Sequence, residues 1–223
     1  MSEYDAVVFD SDGILVAPPR RERQVAAARA AFDDLGIGDV DRETLAGLVT
    51  DPNADRIGEL AAAYDVDPEA VWNARERHDE RTQERAFEDG SRTTYDDVHA
   101  IGDIAATRGV VSNNHHATIA FVLDHFDLDH LFETYYGREN GIENLARRKP
   151  NPHYLERALA DLDAVDDRVL YVGDSETDVM AADRADVDSA FVRRPHREEL
   201  SLSVSPTYEV ADLHAVRRIA NDR

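Results

Sequence analysis

Four short runs of β-branched and aromatic residues frame this chain: AVVFD at 6–10, GVVSNN at 109–114, RVLYVGDS at 168–175 and SAFVR at 189–193. Each is a compact apolar stretch that ends on polar or turn-forming residues, the pattern of a buried strand meeting a loop. From Gly90 onward such runs alternate with helical stretches. These cover 96–107, a segment with Ile119, Val122, Leu123 and Phe126 on one face, then 151–162, 176–184 and 212–220. Further strands are expected at 132–137 and, more weakly, at 207–210. Alternating units of this kind imply a mostly parallel sheet with helices on both faces. The expected fold class is therefore α/β, a doubly wound Rossmann-like parallel sheet.

One block does not alternate. After Pro18 and Pro19, the positions Val25, Ala28, Phe32 and Leu35 recur at helical spacing until Gly36 stops them. Ile57, Leu60, Ala61 and Tyr64 form a second stripe. Asp67-Pro68 is an N-cap followed by proline, opening a long charged helix that runs to Asp89-Gly90. Residues 17–88 thus read as an all-helical subdomain inserted after the first strand, with 1–16 and 89–223 forming the core. Hinges are expected near 15–19 and 87–91.

Composition narrows the partners. The chain carries 47 acidic against 25 basic residues, a net charge of −22, and the acids are spread among patterned apolar residues rather than gathered in a tail. With arginine at 24 of the 25 basic positions, this fits adaptation to a salty cytoplasm, where molar salt screens charges within about 3 Å. So negative a surface repels phosphate backbones and argues against nucleic acid. No run of 18 apolar residues is present, no signal peptide is visible, and cysteine is absent. A cytoplasmic location is expected.

In a doubly wound sheet, chemistry sits at the carboxyl ends of the strands. Here those ends deliver Asp10 and Asp12, then Ser112 and Asn113, then Lys149, then Asp174 with Asp178 one helical turn later. Singly, each acid or hydroxyl could be a turn or helix cap. Together, uncompensated carboxylates would repel one another. A divalent cation plus Lys149, the chain's single lysine, would resolve that repulsion, and hard oxygen donors without His or Cys point to Mg²⁺.

DSDG, VVSNN, the lysine of RRKPNP and GDSETD, in this order and spacing, resemble the haloacid dehalogenase-like (HAD) hydrolase superfamily. The helical block resembles the cap of its phosphoglycolate phosphatase-like branch. The resemblance implies that Asp10 is a nucleophile forming an aspartyl-phosphate, and that Asp12 is the general acid and base. Ser112 and the Asn113 backbone would hold the phosphoryl oxygens, and Lys149 would neutralise nucleophile and phosphate. Mg²⁺ would be held by Asp10, the Asp12 carbonyl and Asp174, with Asp178 as ligand or outer support. The implied activity is hydrolysis of small phosphorylated metabolites, with 2-phosphoglycolate a guess by branch. Two departures, Ile14 after Gly13 and VAPP after the strand, bear on the hinge and the substrate. A sugar phosphomutase or a catalytically idle phospho-Asp binding module stays open as an alternative. A receiver module fits poorly, because it lacks an inserted cap and is about half this length. His115-His116 reads as a solvated or capping pair, Trp72 as packing, and Arg20, Arg21 and Arg56 as exposed salt-bridge residues.

Overall fold

The structure, a computed structural model, describes residues 3–165 and 168–221. Six strands form one parallel sheet: β1 (Ala6–Phe9), β2 (Thr107–His115), β3 (Thr134–Arg138), β4 (Val169–Gly173), β5 (Asp188–Val192) and β6 (Tyr208–Val210). Their order is β3-β2-β1-β4-β5-β6. The chain winds outward in one direction from β1 and in the other from β4, so the strand order reverses between those two neighbours. That reversal opens a crevice above the carboxyl ends of the central strands. Phe9 pairs with Val110 on one side and Val172 on the other, and Asp10 N–H donates to Val172 O at 2.8 Å. This register levels Asp10 with the strand ends that carry Ser112 and Asp174.

Helices cover both faces. Val7, Phe9, Val110 and Val172 face α5 (His116–His125) and α8 (Leu213–Asn221) in one buried cluster. Ala6, Val8, Val111 and Tyr171 face α6 (His153–Asp161) in the other. Between β4 and β5 runs α7 (Glu176–Arg184). Strands buried on both faces need continuous rather than alternating apolar runs, which is what these segments have.

Between β1 and β2 lie α1 (Arg21–Asp34), α2 (Arg42–Thr50), α3 (Ala54–Ala63) and α4 (Pro68–Glu88), with no strand among them. The starts of α2, α3 and α4 are set by Asp41, Asn53 and Asp67, whose side chains accept from backbone N–H groups at 2.9–3.0 Å. The four helices bury their own core of Phe32, Leu45, Leu48, Ile57 and Trp72, joined by Leu145 from the sheet side. The two connecting segments run beside each other: Ala17 N–H donates to Thr93 O (3.0 Å) and Tyr95 N–H to Leu15 O (3.1 Å).

One expected helix differs. In place of a helix over 96–107 there is a 3₁₀ turn at Val98–Asp103, and the chain is extended by Ile104. Arg108, at the start of β2, donates from its guanidinium to the carbonyls of Ile101 (3.1 Å) and Ile104 (3.0 Å) at the end of that turn. The helix expected at 151–162 starts at His153, whose N–H donates to Asn151 Oδ1 at 3.0 Å. The strand expected at 132–137 runs from Thr134 to Arg138.

Candidate active site

All seven residues singled out in the sequence gather at the carboxyl end of the sheet. Asp10 follows β1 directly and is buried. Its Oδ1 accepts from Ser11 N–H (2.7 Å) and lies 3.1 Å from Lys149 Nζ, whereas Oδ2 receives no hydrogen bond or ion pair from the described residues. Gly13, at φ +88°, turns the chain tightly, and a Cβ there would sit 2.3 Å from Asp174 Oδ2. Only glycine lets the β1 turn approach that acid so closely.

Lys149 is buried amid oxygen atoms: Asp178 Oδ1 at 2.7 Å, Tyr171 Oη at 2.7 Å, and Asp10 Oδ1 and Val111 O at 3.1 Å. Burial works against its charge, but Asp10 and Asp178 outweigh it and hold the ammonium protonated well above the usual lysine range. Asn113 supports the loop from below, donating from Nδ2 to Lys149 O (3.0 Å) and accepting from Lys149 N–H (2.8 Å). The β2–β3 pairing is irregular between Val111 and His115, so Ser112, Asn113 and Asn114 stand out of the ladder. Ser112 is buried, with Oγ accepting from Asn114 N–H at 3.3 Å.

The acids divide by what they touch. Asp178 closes a capping box at the start of α7, and its Oδ2 accepts from Asp174 N–H, Ser175 N–H and Ser175 Oγ at 3.1, 3.0 and 2.6 Å. With Oδ1 on Lys149, both its oxygens are committed. Burial pushes the Asp10 carboxyl up; Lys149 draws it back, and Asp178, Asp174 and Asp12 add to the rise, leaving it at about 7. Burial also acts to raise Asp174, yet hydrogen bonding from His196 and the charge of Arg197 hold it below the usual range.

Oxygens of Asp10, Asp174 and Asp178 lie within 4.8 Å of one another, all on buried residues. Lys149 answers Asp10 and Asp178, Asp174 has His196 and Arg197, and the three grouped acids offer only carboxylate oxygens. That donor chemistry suits a hard divalent cation such as Mg²⁺.

Several contacts had no counterpart in the sequence reading. Arg92, just past α4, pairs its guanidinium with Asp12 Oδ1, and donates to Gln83 Oε1 (2.7 Å) and Ala17 O (2.5 Å). Asn114 Nδ2 donates to the other Asp12 oxygen at 2.9 Å. His196 Nε2 (2.6 Å) and Arg197 Nε (2.9 Å), beyond β5, both reach Asp174 Oδ2. The basic run RRPHR at 193–197, following a strand, was the available signal for the last pair. Nothing local marks Arg92.

His115 is not a solvated or capping residue. It is buried, with Nδ1 3.2 Å from Glu76 and Nε2 3.0 Å from Asp79 on α4. The reason is tertiary: α4 packs on the start of α5 and brings two acids onto the imidazole. His116 is exposed and stacks on Tyr135 at 5.0 Å. Trp72 is packing, buried with Arg75 and Arg138 5.2 and 5.3 Å from its ring centre. Arg56 makes the expected salt bridge, to Asp51 at 3.5 Å. Arg20 and Arg21 have no ion pair among the described residues; both are exposed at the start of α1, in water, where pairing gains little.

A parallel sheet reversing at β1/β4, with acids, a hydroxyl and a buried lysine at that point, defines a class that the comparisons identify. The family model described as haloacid dehalogenase-like hydrolase matches residues 7–192, and the chain belongs to that family. A curated pyrophosphatase PpaX of Halalkalibacterium halodurans is 25% identical over 193 residues, covering 85% of this chain and 84% of the relative. A phosphoglycolate phosphatase of Colwellia psychrerythraea is 32% identical over 80 residues, 36% of this chain and only 34% of the relative's length. Among solved structures, CbbY from Rhodobacter sphaeroides in complex with phosphate superposes with a TM-score of 0.72 at 18% identity, covering 96% of each chain. A HAD-superfamily hydrolase from Geobacter sulfurreducens gives 0.60 at 19% identity, covering 96% of this chain and 97% of the other. At such identities the structural likeness is one of fold. No helix among the described residues is long and apolar enough to cross a membrane.

Proposed function

We propose that the protein is a Mg²⁺-dependent phosphomonoester hydrolase of small phosphorylated metabolites, and that residues 17–88 act as the cap over its site. The observation that carries this reading is the Asp10 carboxylate: buried at the switch point, one oxygen held by Ser11 N–H and Lys149, the other without a partner among the described residues. Phosphatases among the relatives support the same substrate class, and 2-phosphoglycolate is the ester to assay first.

Asp10 Oδ2 attacks phosphorus, and the ester oxygen departs with a proton from Asp12, giving an aspartyl-phosphate and an alcohol. Asp12 then takes a proton from water, which attacks phosphorus and releases phosphate and Asp10. Lys149 offsets charge on Asp10 and on the transferring group, while Ser112 Oγ and the Asn113 backbone donate to phosphoryl oxygens. Mg²⁺, held by Asp10, the Asp12 carbonyl and Asp174, would supply positive charge at the phosphoryl oxygens. With both oxygens engaged, Asp178 serves as the support that orients Lys149 and the start of α7. Arg92 and Asn114 fix the Asp12 carboxylate.

Asp10→Asn removes the nucleophile and keeps the shape. Phosphate release from p-nitrophenyl phosphate with Mg²⁺ is expected to vanish in this variant while the thermal midpoint holds. Retained turnover overturns the assignment. A wild-type protein that turns over no phosphate ester would instead be the idle binding module, and one that converts a hexose monophosphate to its isomer would be the mutase.

A further inference from the structure

Beside Asp12 and Asn113, beneath α4, lies a cavity of about 190 Å³. Its charge runs against that of the chain. Arg75, Arg138 and Arg148 line it together with His115, in a protein of net charge −22. Most of these cations are matched. Arg75 Nη1 is 2.7 Å from Glu76 and 3.7 Å from Asp79, Arg138 Nη2 is 2.5 Å from Glu76, and His115 contacts both acids. Asp12, on the same wall, is taken by Arg92 and Asn114.

Arg148 is the exception. It is half-buried, and no carboxylate among the described residues lies within ion-pair distance of it. Its Nε donates to Leu145 O (3.1 Å) and its Nη2 to Pro52 O (2.7 Å), while Nη1 has no partner among the described residues. Burial, Arg138 and Arg75 press its pKa downward, and Asp51 and Glu76, beyond ion-pair distance, offset them only in part, so the site as built disfavours this charge. A chain with almost two acids per base could have placed a carboxylate here. A role in tying the loop to the helical insertion accounts for Nε and Nη2 and leaves the third nitrogen without purpose. The loop is in any case held by the paired Asn113–Lys149 contacts. A guanidinium with open N–H groups, facing a cavity next to the phosphoryl site, suits an incoming anion.

We propose that this cavity is the leaving-group subsite and that Arg148 grips an anionic group, a carboxylate or a second phosphoryl, carried close to the scissile ester. The inference rests on the phosphohydrolase reading above. The cavity is smaller than the roughly 300–1,000 Å³ of pockets for drug-sized ligands, which confines the leaving group to a few heavy atoms. Arg148 is then a specificity residue, while Asp10 and Asp12 do the chemistry.

The test compares kcat/KM of the full chain with Mg²⁺ on ethyl phosphate, 2-phosphoglycolate and pyrophosphate, with p-nitrophenyl phosphate as the check on the hydrolase itself. Ethyl phosphate and 2-phosphoglycolate share a two-carbon skeleton and differ in the carboxylate. Wild type is expected to favour an anion-bearing substrate over ethyl phosphate by at least about 10-fold. Arg148→Gln should cut that ratio by roughly 10–100-fold, the worth of a charge-assisted contact, and Arg148→Lys should restore part of it. A purely structural role would lower both rates together and leave the ratio unchanged. Loss confined to 2-phosphoglycolate assigns a carboxylate; loss confined to pyrophosphate assigns a phosphoryl group. Turnover without anion preference, or with a ratio unmoved in Arg148→Gln, overturns this inference alone. Absence of turnover on every ester, p-nitrophenyl phosphate included, ends the hydrolase reading and this inference with it.

Discussion

Exchanging Lys149 for arginine keeps the charge and alters only its shape, which isolates what the ammonium contributes. Four oxygens converge on Nζ at 2.7–3.1 Å, from Asp178, Tyr171, Asp10 and Val111. They surround a single point that a compact ammonium fills. A guanidinium spreads its donors over a rigid planar fork and cannot place them all there. The site is closed, with Lys149 only 5% exposed, so the larger group must push on its neighbours at a cost of about 1–3 kcal/mol. The displaced atoms include Asp10 itself. Loss of one preorganised electrostatic contact lowers kcat by roughly 10²–10³, about 3–4 kcal/mol, and that is the expected effect of Lys149→Arg. Lys149→Met should differ in kind. It leaves Asp10 and Asp178 without their cation and should cost about 3–5 kcal/mol of stability. Saturating phosphate-release rates and denaturant midpoints, measured on both variants, check the pair. An arginine variant that keeps more than about a third of wild-type kcat would show that the lysine is not positioned at the chemistry.

Acid stability should depend on the α4–α5 network. Burial raises Glu76 and Asp79, yet His115 with Arg138 on the first, and Arg75 with His115 on the second, pull each down to about 2. Depressed acids contribute stability that is complete above their unfolded values, near 4, and is lost as pH falls through about 2. His115 is disfavoured by burial but raised by Asp79 and Glu76, so its contribution is present below about pH 6.5 and lost as pH rises through its folded value. Glu76→Gln should lower the unfolding free energy from denaturant titration at pH 6 by on the order of 3 kcal/mol and flatten its fall between pH 4.5 and 2; an unchanged acid limb refutes the assignment. Salt should act on the whole surface. With −22 formal charges, self-repulsion reaches about 30 Å at 0.01 M salt and only about 3 Å at 1 M. Tm should therefore climb steeply from dilute to molar KCl, and a flat profile would mean that the acidity is no salt adaptation.

What the sequence by itself determined lies along the chain. Continuous apolar runs mark strands buried on both faces, and Asp67-Pro68 opens α4 where its cap is observed. Asp10, Ser112 and Asp174 were legible because each stands at the end of such a run, and a parallel sheet sets all its strand ends on one edge. Tertiary structure decided the partners. Arg92 reaches Asp12 across 80 positions, His115 reaches Asp79 across 36, and His196 reaches Asp174 across 22. Such pairings follow from how α4 leans on the sheet and how the segment after β5 folds back. A hydrophobic period reports which face of an element is buried, but nothing about which polar group on another element will meet it. Nη1 of Arg148, without a partner among the described residues, is of the same kind, since the lack of a carboxylate in ion-pair contact with it exists only once the chain has closed around it.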